Sequence, residues 1–128
     1  MRTEPTPSPA SRPRILVTRA IFPEVAQRLS AHFDVHTNTD DADWSRAELL
    51  QRLQGMTGAL TFGLERIDTE LLAQCPQLRI CANMTVGYNN FDLAAMTAAG
   101  VLATNAPGVL TETTADMGFA LLMAAARR

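Results

Sequence analysis

The chain has 128 residues, enough for one domain with a real core, and its 47% apolar and 19% charged content is that of an ordinary globular protein. A net charge of −2 gives no electrostatic footprint for nucleic acid or an anionic membrane surface. All 11 basic residues are arginine, which excludes a phosphate-loop lysine, a Schiff-base lysine and a lysine general base within the chain.

Residues 1–13 carry four prolines and no apolar run, so they read as a disordered tail and not as a signal peptide. Arg14 to Thr18 is a short aliphatic run and predicts a first buried strand. Pro23 opens a helix whose apolar face is Val25, Ala26 and Leu29. Phe33 to His36 predicts a second strand, and the acidic run Asn38 to Asp43 a solvated loop. Ser45 caps the next helix with Glu48 completing a capping box, and Gly55 and Gly58 end it. Ala59 to Phe62 is a third strand; Asp68 then caps a short helix closed by Pro76.

Leu78 to Ala82 predicts the fourth strand, followed by Asn83-Met-Thr-Val-Gly-Tyr-Asn-Asn-Phe-Asp92 and a helix to Ala99. A loop of small and amide residues between a buried strand and a helix is where α/β proteins place ligands. Gly87 lets a ligand approach the backbone, and N–H groups there suit a small anion. The plainer reading is a strand-to-helix connection with Asn90 or Asp92 as N-cap. Gly100 gives a left-handed helix end and Val101 to Thr104 a fifth strand. Past the turn Asn105 to Gly108, Thr111 is expected to cap a helix from Glu112 to the last residue.

Strands alternating with helices predict an α/β fold: a flavodoxin-like, doubly wound parallel sheet of about five strands ending in a long helix. Residues 117–126 of that helix are apolar on every face, which predicts burial all round against a second partner. The stretch is shorter than the ~20 residues needed to span a bilayer, so no membrane segment is expected and a cytoplasmic location is. The helix reaches Arg128 with no glycine or proline to end it, and the sequence is expected to continue beyond.

Catalytic chemistry is sparse. His32 and His36 lie some fifty residues before the loop; Asp92, Glu112 and Asp116 are accounted for as a helix cap and first-turn acids. Cys75 and Cys81 read as buried, inert thiols; no cluster has metal-ligand spacing, and no G-x-G-x-x-G is present.

Three segments in register carry a resemblance: Val86-Gly-Tyr-Asn-Asn-Phe-Asp92, Gly100-Val-Leu-Ala-Thr-Asn-Ala-Pro-Gly108 and Leu110-Thr-Glu-Thr-Thr-Ala-Asp116. Together they resemble the first part of the catalytic domain of D-isomer-specific 2-hydroxyacid dehydrogenases, nearest the glyoxylate/hydroxypyruvate and 2-ketogluconate reductases. The resemblance implies a substrate domain over residues 14–110 and, at 111–128, the start of a helix linking to an NAD(P)-binding Rossmann domain. It implies that Val86 and Gly87 hold the substrate carboxylate through backbone N–H groups, with Phe62, Gly63 and Leu64 as a further wall of the pocket. It also places Val86 and Thr114 against the cofactor, NAD(P)H.

The family's catalytic arginine, glutamate and histidine follow its Rossmann motif, so no residue here takes those roles, Arg66, Arg79, His32 and His36 included. The chain alone is therefore expected to be inert and to bind no cofactor tightly. The implied partners are a small 2-oxo or 2-hydroxy acid, the Rossmann domain and, in the full-length protein, a second copy in a homodimer. A stand-alone flavodoxin-like module binding a small ligand without catalysis is the alternative.

Overall fold

The computed structural model describes residues 12–128; the first eleven of the thirteen residues read as a tail lie outside the described residues. Arg12 and Pro13 are tied to the domain: an Arg12 guanidinium nitrogen donates to the Ser30 carbonyl, and the Pro13 carbonyl accepts from the Asp34 amide. Ten elements follow in strict alternation: β1 (Arg14–Val17), α1 (Pro23–Ser30), β2 (Asp34–Thr37), α2 (Arg46–Leu53), β3 (Gly58–Thr61), α3 (Thr69–Gln74), β4 (Ile80–Asn83), α4 (Leu93–Ala98), β5 (Leu102–Thr104) and α5 (Thr111–Arg127). The five strands pair in parallel in the order β2-β1-β3-β4-β5, the flavodoxin-like arrangement the alternation predicts.

One core holds the sheet to its helices. Leu16 of β1, Ala59 of β3 and Cys81 of β4 join Leu49 and Leu53 of α2, Leu71 and Leu72 of α3, and Met96 of α4. Burying an aliphatic side chain of this size contributes about 1.5–3 kcal/mol. No residue of α1 is buried, so the first helix contributes little to this core. Gly58, expected to end α2, instead opens β3. A Cβ there would lie 3.1 Å from Ile80 Cγ2 and 3.2 Å from Ile15 Cγ2, so any larger residue would force those isoleucines to give way by a few tenths of an ångström.

The helix starts are local chemistry. Ser45 and Glu48 form the reciprocal capping box, Asp68 accepts from the Leu71 amide at 3.1 Å, and Asp92, not Asn90, accepts from the Ala95 amide at 3.0 Å. Burial would raise the Asp68 carboxyl, but the Leu71 amide and the Arg46 and Arg66 guanidiniums outweigh it and hold it below the usual carboxylate range. A depressed carboxyl stabilises the fold above its unfolded value, about 3.9, and loses that contribution as the pH falls through the lower folded value. Asp68→Asn keeps a good N-cap and removes the charge. Its urea midpoint is expected to fall less than that of the parent between pH 5 and pH 2; parallel loss in both proteins would show that Asp68 is not the group titrating.

Two expectations are corrected. The run 38–43 is not simply solvated: the buried Asn38 side chain donates to the Thr18 and Ala42 carbonyls and accepts from the Ala42 amide. Thr111 is the first residue of α5 rather than its cap. Leu110 occupies the cap position and offers no side-chain hydrogen bond, while its carbonyl receives the Thr114 amide.

Burial all round is also not what α5 has within this chain. None of its residues is buried, and Met117, Phe119, Leu121 and Leu122 are 62–65% exposed. An apolar helix of this kind presents a surface that water does not favour. Reversible self-association is expected by sedimentation velocity at high micromolar concentration, abolished by the pair Phe119→Glu and Leu122→Glu. A monomer at all concentrations would contradict this.

Candidate functional site

The carboxyl ends of β3 and β4 carry two loops that fold against each other. Thr61 and Asn83 are register partners across the two strands, and both are buried. The Thr61 hydroxyl donates to the Asn83 side-chain oxygen. Asn83 Nδ2 in turn donates to the Gly87 carbonyl at 3.0 Å and to Asn90 Oδ1 at 2.8 Å. Asn90 Nδ2 reaches the Glu65 carbonyl at 3.0 Å, which joins the loop after β4 to the loop after β3. Backbone bonds from Ile67 N–H to the Asn90 carbonyl (2.8 Å) and from Asp92 N–H to the Ile67 carbonyl (2.9 Å) close the seam. A buried amide that satisfies all its partners fixes a single arrangement, because any other leaves polar atoms unpaired.

Phe62, Gly63 and Leu64 make up the loop after β3. Gly63 has φ +94, a conformation β-substituted residues avoid, and a Cβ on it would lie 3.4 Å from Thr85 Oγ1. The Phe62 amide donates to Glu65 Oε2 at 2.9 Å, closing a tight turn that leaves Leu64 74% exposed. Val86 and Gly87 are exposed on the second loop, and the structure does not bring them into one cleft with Phe62, Gly63 and Leu64: Leu64 lines a different cleft from Val86. A Cβ placed on Gly87 would meet nothing within 4 Å, so the space in front of this backbone is open to a ligand.

Val86 also lines a wide cleft of about 530 Å³ with Leu110, Thr111, Thr114 and Ala115 of the α5 start. The two residues named for the cofactor, Val86 and Thr114, are thus brought together. A second cleft, of about 400 Å³, lies at the carboxyl ends of β1 and β3, where the strand order reverses; Leu64 and Glu65 line it with Thr18, Arg19, Trp44 and Arg46. Two of its arginines are firmly engaged, while a third, Arg66, is 80% exposed and lies 3.4 Å from Asp68. Arg19 pairs with Asp43 and donates to the Asp41 carbonyl at 3.0 Å, and Arg46 pairs with Asp68. They pin loops rather than offer free charge.

The remaining candidates lie elsewhere. His36 is on β2 at the sheet's edge, with its ring nitrogen 3.3 Å from Asp34, and His32 stacks edge-on with Phe33 before that strand. Asp92 is spent as a cap; Glu112 and Asp116 are on exposed turns of α5. Arg79 donates to the Pro76 and Leu78 carbonyls. Cys75 and Cys81 are free and buried; burial, with Cys75 nearby, pushes the Cys81 thiol up to about 12. Among the described residues no group of three His, Cys, Asp or Glu could hold a metal, and no helix is long and apolar enough to cross a membrane.

Sequence reasoning passed over Asn83, Asn105 and Thr85, which orient the loop. The signal available was the density of amides around one glycine in residues 83–90.

The structure is a flavodoxin-like α/β domain whose loops after the third and fourth strands are tied together at the carboxyl edge of the sheet. The chain belongs to the D-isomer specific 2-hydroxyacid dehydrogenase family, whose catalytic-domain profile matches residues 15–127. A glyoxylate reductase from Aeropyrum pernix is 44% identical over 117 residues, which are 91% of this chain and 35% of that protein. A protein of known crystal structure from Thermus thermophilus shares 38% identity at a TM-score of 0.78, over 90% of this chain and 37% of its own. An NADPH-dependent glyoxylate/hydroxypyruvate reductase from Sinorhizobium meliloti, solved with NADP and malonate, shares 35% identity at a TM-score of 0.67, over 88% of this chain and 34% of its own. This chain thus spans 35% of the length of the curated relative from Aeropyrum pernix.

Proposed function

We propose that this chain is the substrate-binding part of an NAD(P)-dependent reductase that converts a small 2-oxo acid, of the glyoxylate, hydroxypyruvate or 2-ketogluconate type, to the D-2-hydroxy acid. The observation that carries this reading is the pairing of loops 62–65 and 83–91 through Asn83 and Asn90, which holds an open, glycine-bearing backbone at the carboxyl ends of β3 and β4. In this reading the Val86 and Gly87 N–H groups hold the substrate carboxylate, and Phe62, Gly63 and Leu64 bound its other end. The relative from Aeropyrum pernix is by name a glyoxylate reductase, and that from Sinorhizobium meliloti an NADPH-dependent glyoxylate/hydroxypyruvate reductase, which supports the substrate class.

The cofactor side is matched only in part by the residues present. Val86, Leu110 and Ala115 give an apolar edge and Thr111 and Thr114 two hydroxyls, which suits the rim of a nicotinamide ring. Nothing among them is built for a pyrophosphate, and the sequence has no G-x-G-x-x-G. When bound, such a cofactor supplies the hydride. This chain's own part is to fix the carboxylate, orient the carbonyl carbon and keep water from the reacting face. The two histidines are not on the paired loops: His36 lies on the edge strand β2 and His32 just before it, separated from β3 by β1.

The test is a titration of the ¹⁵N-labelled chain with sodium glyoxylate, paired with a nicotinamide-absorbance assay. Saturable shifts at the Val86 and Gly87 amides with no consumption of NADH or NADPH are expected. Turnover by this chain would overturn its assignment as binding without catalysis; an unmoved loop would overturn the carboxylate site.

A further inference from the structure

We propose that Asn105 is a positioning residue for the carboxylate site: it aims the Gly87 N–H by holding the Val86 carbonyl, so that two successive amides face the ligand together. The inference rests on the carboxylate reading above and extends it to a residue nineteen positions downstream, beyond the end of β5.

A trans peptide sets its C=O and N–H antiparallel, so fixing one fixes the other. The chain has no cis peptide among the described residues. The Thr85 carbonyl accepts from the Ala106 amide at 3.0 Å, and the Val86 carbonyl accepts from Asn105 Nδ2 at 2.8 Å. Both carbonyls therefore point toward the same segment, residues 105–106. In an extended strand, successive carbonyls point to opposite sides. Here two consecutive ones face one way, so the N–H groups of Val86 and Gly87, in those same peptide planes, both face the other. Neither N–H has a hydrogen-bond partner among the described residues.

The next carbonyl, that of Gly87, is held separately by Asn83 Nδ2 at 3.0 Å and Thr85 Oγ1 at 2.8 Å, which fixes the far end of the unit. A pair of preset donors on one side is what a carboxylate needs, since its two oxygens can each accept one. Asn105 is only half-buried and follows the edge strand β5, so the fold does not depend on its amide. That separates its role from that of Asn83, which is buried between strands. Without Asn105 the Val86–Gly87 peptide is free to turn, and the Gly87 N–H loses its direction before the ligand arrives.

The experiment compares the parent chain with N105A, N105L and N105Q, each ¹⁵N-labelled and titrated with sodium glyoxylate, with thermal midpoints recorded alongside. N105A and N105L lack the donor; N105Q keeps it on a longer arm. In the first two, the apparent affinity read from the Gly87 amide is expected to fall by about tenfold, the loss of roughly one charge-assisted hydrogen bond. Their midpoints are expected to stay within a few degrees of the parent, and N105Q to recover much of the affinity. Parent-like affinity in either donor-free variant overturns the proposal while leaving the carboxylate site standing. Shifts absent in the parent itself overturn both. Two variants of different size, one small and one near the shape of asparagine, keep the comparison open if either fails to fold.

Discussion

Ile67→Ala is expected to lower the free energy of unfolding by about 2–5 kcal/mol, the range for truncating a fully buried aliphatic side chain. Ile67 is 0% exposed and belongs to the core cluster with Leu49, Leu71 and Phe91. Set against the 5–15 kcal/mol of a typical domain, the loss is a large fraction of the total. The cost has two parts: the transfer of the lost methyl and methylene groups, and the cavity left where the surroundings cannot collapse.

Collapse is hindered at this position. Residue 67 forms an isolated parallel bridge with Phe91, and its amide and carbonyl are both bonded to the loop after β4. The backbone cannot move inward without breaking the seam that joins the loops after β3 and β4. Urea denaturation is the measurement, with an unchanged slope marking a true stability effect. Ile67→Val, losing one methyl-sized group, should cost about 0.5–1.5 kcal/mol. A loss below about 1 kcal/mol for the alanine variant would show that the site relaxes, and that the seam is softer than its hydrogen bonds suggest.

The parts of this molecule that were legible in its sequence are those with short-range causes. Ser45 with Glu48, and Asp68 and Asp92 before their helices, announce helix starts within four residues. The alternation of short apolar runs with helical segments is enough to give a parallel sheet, because parallel strands need a crossover between them. Strand ends differed from the observed ones by a residue or two, as ladders end where a partner ends and not where the apolar run does.

The parts that were not legible depend on which strands become neighbours. Asn83 reads in sequence as one more polar loop residue; it becomes the centre of a network only because β3 brings Thr61 alongside it. Asn105 has meaning only once β5 lies beside β4 and sets residues 105–106 against the loop. Asn38 was hidden by its acidic neighbours, although a short amide after a strand is well suited to close a turn. For α5 the sequence pattern described a preference, burial on every side, and not a contact that these residues make among themselves.

Gly87→Val is expected to weaken carboxylate binding by about a hundredfold while leaving the fold nearly untouched. The two halves of that statement have separate causes. Gly87 does not adopt positive φ, and a Cβ added to it meets no atom within 4 Å, so the native backbone has room for a Cβ. Replacing glycine also reduces the freedom of the unfolded chain, worth about 0.4–1 kcal/mol in favour of folding when the native conformation is compatible. The unfolding midpoint should therefore hold or rise slightly. The ligand meets the opposite situation. A carboxylate oxygen bonded to the Gly87 N–H must sit about 2.7–2.9 Å from that nitrogen. Branched methyls on the same residue crowd that approach and cannot swing away, because a β-branched side chain has few χ1 choices. Losing both bonds of a paired donor site amounts to about 2.7 kcal/mol, the stated hundredfold. Glyoxylate titration of the labelled variant beside a urea melt separates the effects. Retained affinity would remove Gly87 from the site, and a collapsed melt would show that its openness in the free protein is not what the backbone requires.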